Sequence, residues 1–249
     1  GDGLEDRVRA LAPDGVDQWR VGDEVIVPRI ETTSYTSDAV VPAASVVAKP
    51  AGLSFELAGS VALVGGTAAH AVEAAKVAGG ETLLVHGGAG GVGGLVVQLA
   101  VRRGARVIAT ASEANHDYLR GLGAEPVVYG DGLEDRVRAL APDGVDASID
   151  TIGSNEAVDV SLALVPDTAR IVSIAAFHRG DDGITLIGGG PGADPGTELR
   201  AKSWPEIAQL VADGELDLPI ARTYPLEETA QAHRDSVAGH TRGKLVVVP

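Results

Sequence analysis

Residues 82–100, T-L-L-V-H-G-G-A-G-G-V-G-G-L-V-V-Q-L-A, limit most narrowly what this chain can fold into. An apolar run of strand length, 82–86, ends in glycines, and helical apolar spacing follows over 95–103. Gly88, Gly90 and Gly93 are spaced as G-x-G-x-x-G between that strand and that helix. In such a motif one glycine permits a tight turn, one lets a pyrophosphate reach the backbone, and one lets helix and strand pack closely. Gly91 and Val92 lie at the helix start, where free N–H groups and the helix dipole attract phosphate. The spacing alone is weak evidence; the strand before it, the helix after it and a second strand at 106–110 make it specific for a dinucleotide. A glycine-rich turn without a ligand is the alternative.

Strands and helices continue to alternate. Strands are expected at 126–129, 147–150 and 170–175, and helices at 113–122, 133–140 and 156–164. This order predicts an α/β fold, a Rossmann-type doubly wound parallel sheet covered on both faces. Upstream, 21–27 reads as a turn and a short strand, and 39–47 as β-rich with a bend or edge at Pro42. Residues 55–77 read as a helix capped by Ser54 and interrupted at Gly65-Gly66-Thr67. Downstream, 184–187 reads as an edge strand, 188–196 as a loop and 204–213 as a helix. Strands at 220–224 and 244–248 flank a helix at 226–238.

The end of the second strand bears on cofactor choice. NADH binding usually places a carboxylate there to accept from the ribose 2′-OH. Here the chain reads Ala109-Thr110-Ala111-Ser112, and Glu113 falls beyond it, where a negative charge suits the start of a helix. The small Ser112 hydroxyl suits a 2′-phosphate, with His116, Arg120 and Arg102 as candidate counter-charges. The expected cofactor is NADPH.

Composition removes several function classes. A net charge of −15 argues against nucleic acid and anionic membrane surfaces, which need a basic face. There is no cysteine, so neither a disulfide, a thiolate nucleophile nor a Cys-ligated zinc is available. The histidines lack metal-binding spacing, and no metal is expected. With no run of 18 apolar residues and no secretory signal, the expectation is a cytoplasmic protein.

Residues 1–17 repeat residues 130–146 without a difference. Repeat architectures carry several diverged copies at a short period, so this pair reads as a transplanted segment, by recombination, construction or sequence assembly. A purposeful tandem duplication is the alternative. The first copy is expected to pack loosely, to be helical without a sheet partner, or to occupy space belonging to other residues.

Several pieces between 21 and 249 carry a family resemblance: V-G-D-E-V, V-V-P-A-A-S-V-V-A-K-P-A-G-L-S, V-H-G-G-A-G-G-V-G, A-R-V-I-A-T-A-S, G-V-D-A-S-I-D-T-I-G, A-R-I-V-S-I and G-H-T-R-G-K-L-V-V-V-P. Together they resemble the zinc-independent medium-chain dehydrogenase/reductase superfamily, in its quinone oxidoreductase-like branch. The resemblance implies a Rossmann domain at 54–216. It also implies a GroES-like β-barrel catalytic domain split between 18–53 and 217–249. That barrel is expected to be incomplete, because the family's first strands have no counterpart in residues 1–17.

The resemblance also implies site roles. Thr67 is placed near the nicotinamide ribose, with a helix-interior threonine as the alternative. Tyr129 is placed beside the adenosine 2′-phosphate, with an aromatic covering the sheet as the alternative. Asp150, Thr151 and Gly153 stand at the carboxyl edge of the sheet, and Ile174 and Ala175 border the nicotinamide. Arg242 and Lys244 approach the cofactor, with solvent-facing charge as the alternative. Tyr35 aligns with an aromatic near the active-site cleft and is the candidate catalytic residue, a structural barrel tyrosine being the other reading. A homodimer pairing the edge strand 184–187 is implied, and the reaction is hydride transfer to a quinone or enone. The alternatives are an enoyl-thioester reductase, or a nucleotide-binding protein without turnover.

Overall fold

A computed structural model describes residues 18–28, 35–239 and 241–249. The first copy of the repeated segment lies outside the described residues, and with it the expectation about its packing.

The core is a six-stranded, all-parallel sheet. In chain order its strands are β3 (Thr82–His86), β4 (Arg106–Thr110), β5 (Glu125–Val127), β6 (Ala147–Asp150), β7 (Ile171–Ser173) and β8 (Thr185–Leu186). They lie side by side as β5-β4-β3-β6-β7-β8, so the order reverses at β3. The helices are α1 (Phe55–Ala74), α2 (Gly91–Arg102), α3 (His116–Gly121), α4 (Leu133–Leu140), α5 (Asn155–Leu164) and α6 (Thr197–Ala212). Leu83 and Val85 join the apolar cluster formed with α1, α2 and α6, while Leu84, between them, joins the cluster under α4 and α5. Successive strand residues point to opposite faces. On a sheet covered on both sides both sets are buried, which is why Leu83, Leu84 and Val85 of β3 follow one another without polar alternation.

Helix α1 starts where Ser54 Oγ accepts from Leu57 N–H at 3.2 Å, a side-chain N-cap. It runs unbroken through Gly65, Gly66 and Thr67, against the expected interruption. The two glycines serve a close helix crossing. A Cβ on Gly65 would stand 3.0 Å from Ile207 Cγ2, and one on Gly66 3.1 Å from Arg200 Cβ, both on α6. Among the described residues α1 is the one helix long and apolar enough to cross a membrane, and it is mostly buried against the sheet and α6.

The flanking segments are sparser. Strand β1 (Val25–Ile26) pairs antiparallel with β2 (Val47–Ala48). Most of 39–47 is not strand. Pro42, with φ −59°, leads into a 3-10 turn over Ala43–Ser45, closed by Ser45 Oγ donating to Pro42 O at 2.7 Å. Near the C-terminus β9 (Ile220–Pro225) pairs parallel with β10 (Lys244–Val248), and α7 (Thr229–Ala238) connects them. No barrel closes among the described residues; the flanks form two separate two-stranded sheets. At the sheet edge, β8 is covered in part by its own chain. Asp194 N donates to Leu186 O (2.9 Å), and Gly188 N donates to Asp194 O (2.8 Å).

Candidate functional site: the cleft at the carboxyl edge of the sheet

A cleft of about 600 Å³ opens at the carboxyl ends of β3, β4 and β6, where the strand order reverses. Parallel sheets bind ligands at this kind of switch point. The glycine turn forms its floor. Gly87, with φ +77°, adopts the left-handed turn and precedes the three motif glycines. Thr110 of β4 pins that turn, its hydroxyl accepting from Gly87 N at 3.0 Å and its carbonyl from Gly88 N at 3.0 Å.

The motif glycines do different work. A Cβ on Gly88 would sit 2.8 Å from Ala109 Cβ, and one on Gly93 only 2.1 Å from Gly87 O. Both are packing glycines, the second locking α2 onto the turn. Gly90 has φ −75° and ψ 172°, and its added Cβ would meet nothing nearer than Gly87 O at 3.4 Å, so the space it leaves belongs to the cleft. As N-cap of α2 it offers no side-chain acceptor to the first-turn N–H groups, which favours an anionic ligand there. Gly91, Val92 and Gly93 also line the cleft.

The C-terminal segment roofs this loop. Gly243 N donates to Ala89 O at 3.1 Å, and a Cβ on Gly91 would meet Lys244 Cδ at 2.7 Å. Lys244 lines the cleft, and burial holds its pKa below the usual lysine range. Arg242 sits farther along, its guanidinium 5.2 Å over the Tyr118 ring and its Nε donating to Asn115 Oδ1 at 2.8 Å. Asn115 Nδ2 in turn donates to Ser112 Oγ at 3.1 Å. A second cleft, lined by Arg242, Pro219 and Ile220 among others, shares Ser112 and Asn115 with the first.

The cation beside Ser112 is thus Arg242. Arg102 is paired with Glu215 at 3.0 Å, Arg120 with Asp117 at 2.6 Å, and His116 Nε2 lies 3.4 Å from Ala111 O. Glu113 is exposed outside the cleft.

Tyr129, Thr151, Ile174 and Ser112 all line the cleft. Tyr129 does so from beyond the end of β5, not from within the strand. Asp150 does not line it. Its fully buried carboxylate accepts from Ile152 N (2.9 Å), Gly153 N (3.0 Å) and Ser173 Oγ (2.7 Å). All this serves to shape the turn after β6. Gly153, with φ +80°, and Ala175 pack against each other outside the lining, a Cβ on Gly153 falling 2.8 Å from Ala175 C. Thr67 is buried on the α6 side of α1, where Arg200 donates to its hydroxyl at 3.2 Å. Tyr35 stands outside the cleft, half exposed, its OH 3.2 Å from His233 Nε2 on α7.

Several lining residues escape the sequence reading: Val64, His86, Asn115, Ile152 and Glu156. The His86 ring is buried, with Nε2 3.1 Å from Ser161 Oγ, and burial lowers its pKa to about 4. Asn115 and Ile152 carry no composition signal, because only the folded turns aim them at the cleft. Among the described residues no three His, Cys, Asp or Glu side chains group to hold a metal ion.

Comparison with known proteins bears on the same residues. Residues 122–247 match the family described as zinc-binding dehydrogenase. The polyketide synthase GfsB of Streptomyces halstedii is 34% identical over 97% of this chain, which spans only 4% of that protein. The quinone oxidoreductase of Pseudomonas aeruginosa is 29% identical over 94% of the chain, which spans 77% of it. Among solved structures, the quinone oxidoreductase from Coxiella burnetii superposes with a TM-score of 0.67 at 33% identity, covering 82% of this chain and 64% of that one. Mycobacterial Rv1454c complexed with NADPH gives 0.68 at 28% identity, covering 84% and 69%. The CurK enoyl reductase gives 0.72 at 27% identity, covering 93% and 74%. This chain belongs to the zinc-binding dehydrogenase family, within the medium-chain dehydrogenases/reductases.

Proposed function

We propose that the chain is the cofactor-binding part of an NADPH-dependent oxidoreductase that transfers a hydride to a quinone or to a C=C bond conjugated with a carbonyl. The observation that carries this reading is the Ser112–Asn115–Arg242 chain at one end of the glycine cleft, with no carboxylate at the end of β4. A hydroxyl and a guanidinium held together suit a 2′-phosphate. That a mycobacterial relative in fold was solved with NADPH supports the same cofactor.

The residues fit such a ligand, since Gly90 leaves open the space a side chain would fill and α2 presents its N-terminus there. When bound, the nicotinamide supplies the transferable hydride. Gly90, Gly91 and the first turn of α2 would hold the pyrophosphate, with the Lys244 cation beside them. Val64 and Ile174 would wall the apolar part of the cleft and keep water from it. His86, neutral and committed to Ser161, is a poor proton source for the acceptor's anion.

A second reading, an enoyl-thioester reductase, is supported by the polyketide synthase match over 97% of the chain and by the fold likeness to the CurK enoyl reductase. NADPH oxidation assayed with quinones, enones and enoyl thioesters separates the two. Cofactor choice is tested by fluorescence titration with NADPH and NADH. NADPH is expected to bind more tightly, and Arg242→Gln should weaken NADPH by about tenfold while leaving NADH unchanged. Equal wild-type affinities would overturn the NADPH reading.

A further inference from the structure

On the wall of the cleft, two large side chains stand uncovered. Tyr129 is 48% exposed and Ile152 58% exposed, and both line the cleft. They come from the turns after β5 and β6, two strands on opposite sides of β3. Apolar surfaces left open on a cleft wall suit a flat apolar ligand face. Glu156, in the first turn of α5, lines the same cleft. Its Oε2 accepts from Gly130 N at 3.1 Å, which ties the carboxylate to the residue that follows Tyr129. Its Oε1 has no hydrogen-bond partner among the described residues. The start of α5 accounts for an acidic residue there. It does not account for a carboxylate anchored across to the Tyr129 turn with one oxygen left over.

We propose that Glu156 reads the base of the dinucleotide, its free Oε1 accepting a hydrogen bond from the exocyclic amine of adenine held between Tyr129 and Ile152. An ionised carboxylate only accepts, so it favours a base edge that donates and opposes one that presents an oxygen. This rests on the reading of the cleft as a dinucleotide site. It goes beyond that reading by assigning base selectivity to one side chain, distinct from the 2′-phosphate contact at Arg242.

The probes are NADPH and its hypoxanthine analogue, in which a carbonyl oxygen replaces the exocyclic amine. Each is titrated by cofactor fluorescence against the wild-type chain and Glu156→Gln. The wild type should prefer the adenine form by about tenfold, the loss expected when a charge-assisted hydrogen bond is replaced by opposed acceptors. Glutamine can keep the bond to Gly130 N through its amide oxygen, which leaves its Nε2 to face the base; that donor matches the hypoxanthine oxygen and opposes the adenine amine, so E156Q should abolish or reverse the preference. A merely structural role would weaken both ligands equally and leave the ratio in place. A wild-type ratio near one, or an unchanged ratio in E156Q, overturns the proposal. If E156Q fails to fold, the wild-type ratio still decides. Failure of the wild type to bind either dinucleotide would instead remove the dinucleotide reading, and the proposal with it.

Discussion

The six-stranded sheet and the small C-terminal pair β9–β10 are built from similar residues and behave differently. In β3, Leu83, Leu84 and Val85 have no exposed surface, whereas every residue of β10, K-L-V-V-V, is only partly buried. Between two helical layers, β3 gains burial on both faces; β10 has β9 on one side and helices α1 and α7 near it. Yet Gly243 and Lys244 of the sparse region close over the glycine loop of the dense one. Burial is concentrated in the sheet, and part of the cleft wall is lent by a segment that is itself only partly buried.

The largest expected effect breaks the dense side. Gly93→Val puts a side chain where even a Cβ lies 2.1 Å from Gly87 O. Thermal and urea denaturation should show a loss of about 4 kcal/mol and a Tm lower by roughly 10 °C. A loss below about 1 kcal/mol would mean that α2 and the turn separate easily. Gly90→Val, three residues earlier, should leave stability within about 1 kcal/mol, because its backbone is extended and an added Cβ meets nothing nearer than Gly87 O at 3.4 Å, an ordinary contact. It should still weaken NADPH by roughly 100-fold, since the side chain enters the pyrophosphate space. Unchanged affinity would remove that loop from the binding surface. The smallest effect belongs to the sparse side. Val247→Ala should cost about 1 kcal/mol, against about 3 kcal/mol for Leu84→Ala. Equal losses would show that the two regions share one core.

What was legible in the sequence follows the same division. The bounds of β3, β4 and β6 are legible to the residue, because the centre of a doubly covered strand is apolar on both faces, although β6 also buries Ser148 and Asp150. Features depending on a distant partner were not legible. Gly65 and Gly66 look like a helix break locally, but their role is set by Ile207 and Arg200. The candidate counter-charges for Ser112 are His116, Arg120 and Arg102 in the sequence, and Arg242 is not among them, because only the fold brings it to Asn115 and pairs Arg102 and Arg120 with Glu215 and Asp117. Gly87 was missed as the left-handed residue, since G-x-G-x-x-G spacing begins one position later. Asp150 reads as a ligand by its place at a strand end, yet the N–H groups of Ile152 and Gly153 and the Ser173 hydroxyl saturate it. The β-rich composition of 39–47 was overruled by the fixed φ of Pro42.

The bonds between Asp194 and the rim of β8 bear on how two copies of this chain could meet. Leu186 O and Gly188 N are already engaged by Asp194, so a second sheet arriving along that margin enters a competition with the chain's own loop. Each bond formed between copies would replace one surrendered within a copy, and the exchange is close to neutral in hydrogen bonding. Association across this margin, as the homodimer expectation requires, then draws its strength from side-chain contact and proceeds no faster than the loop lets go.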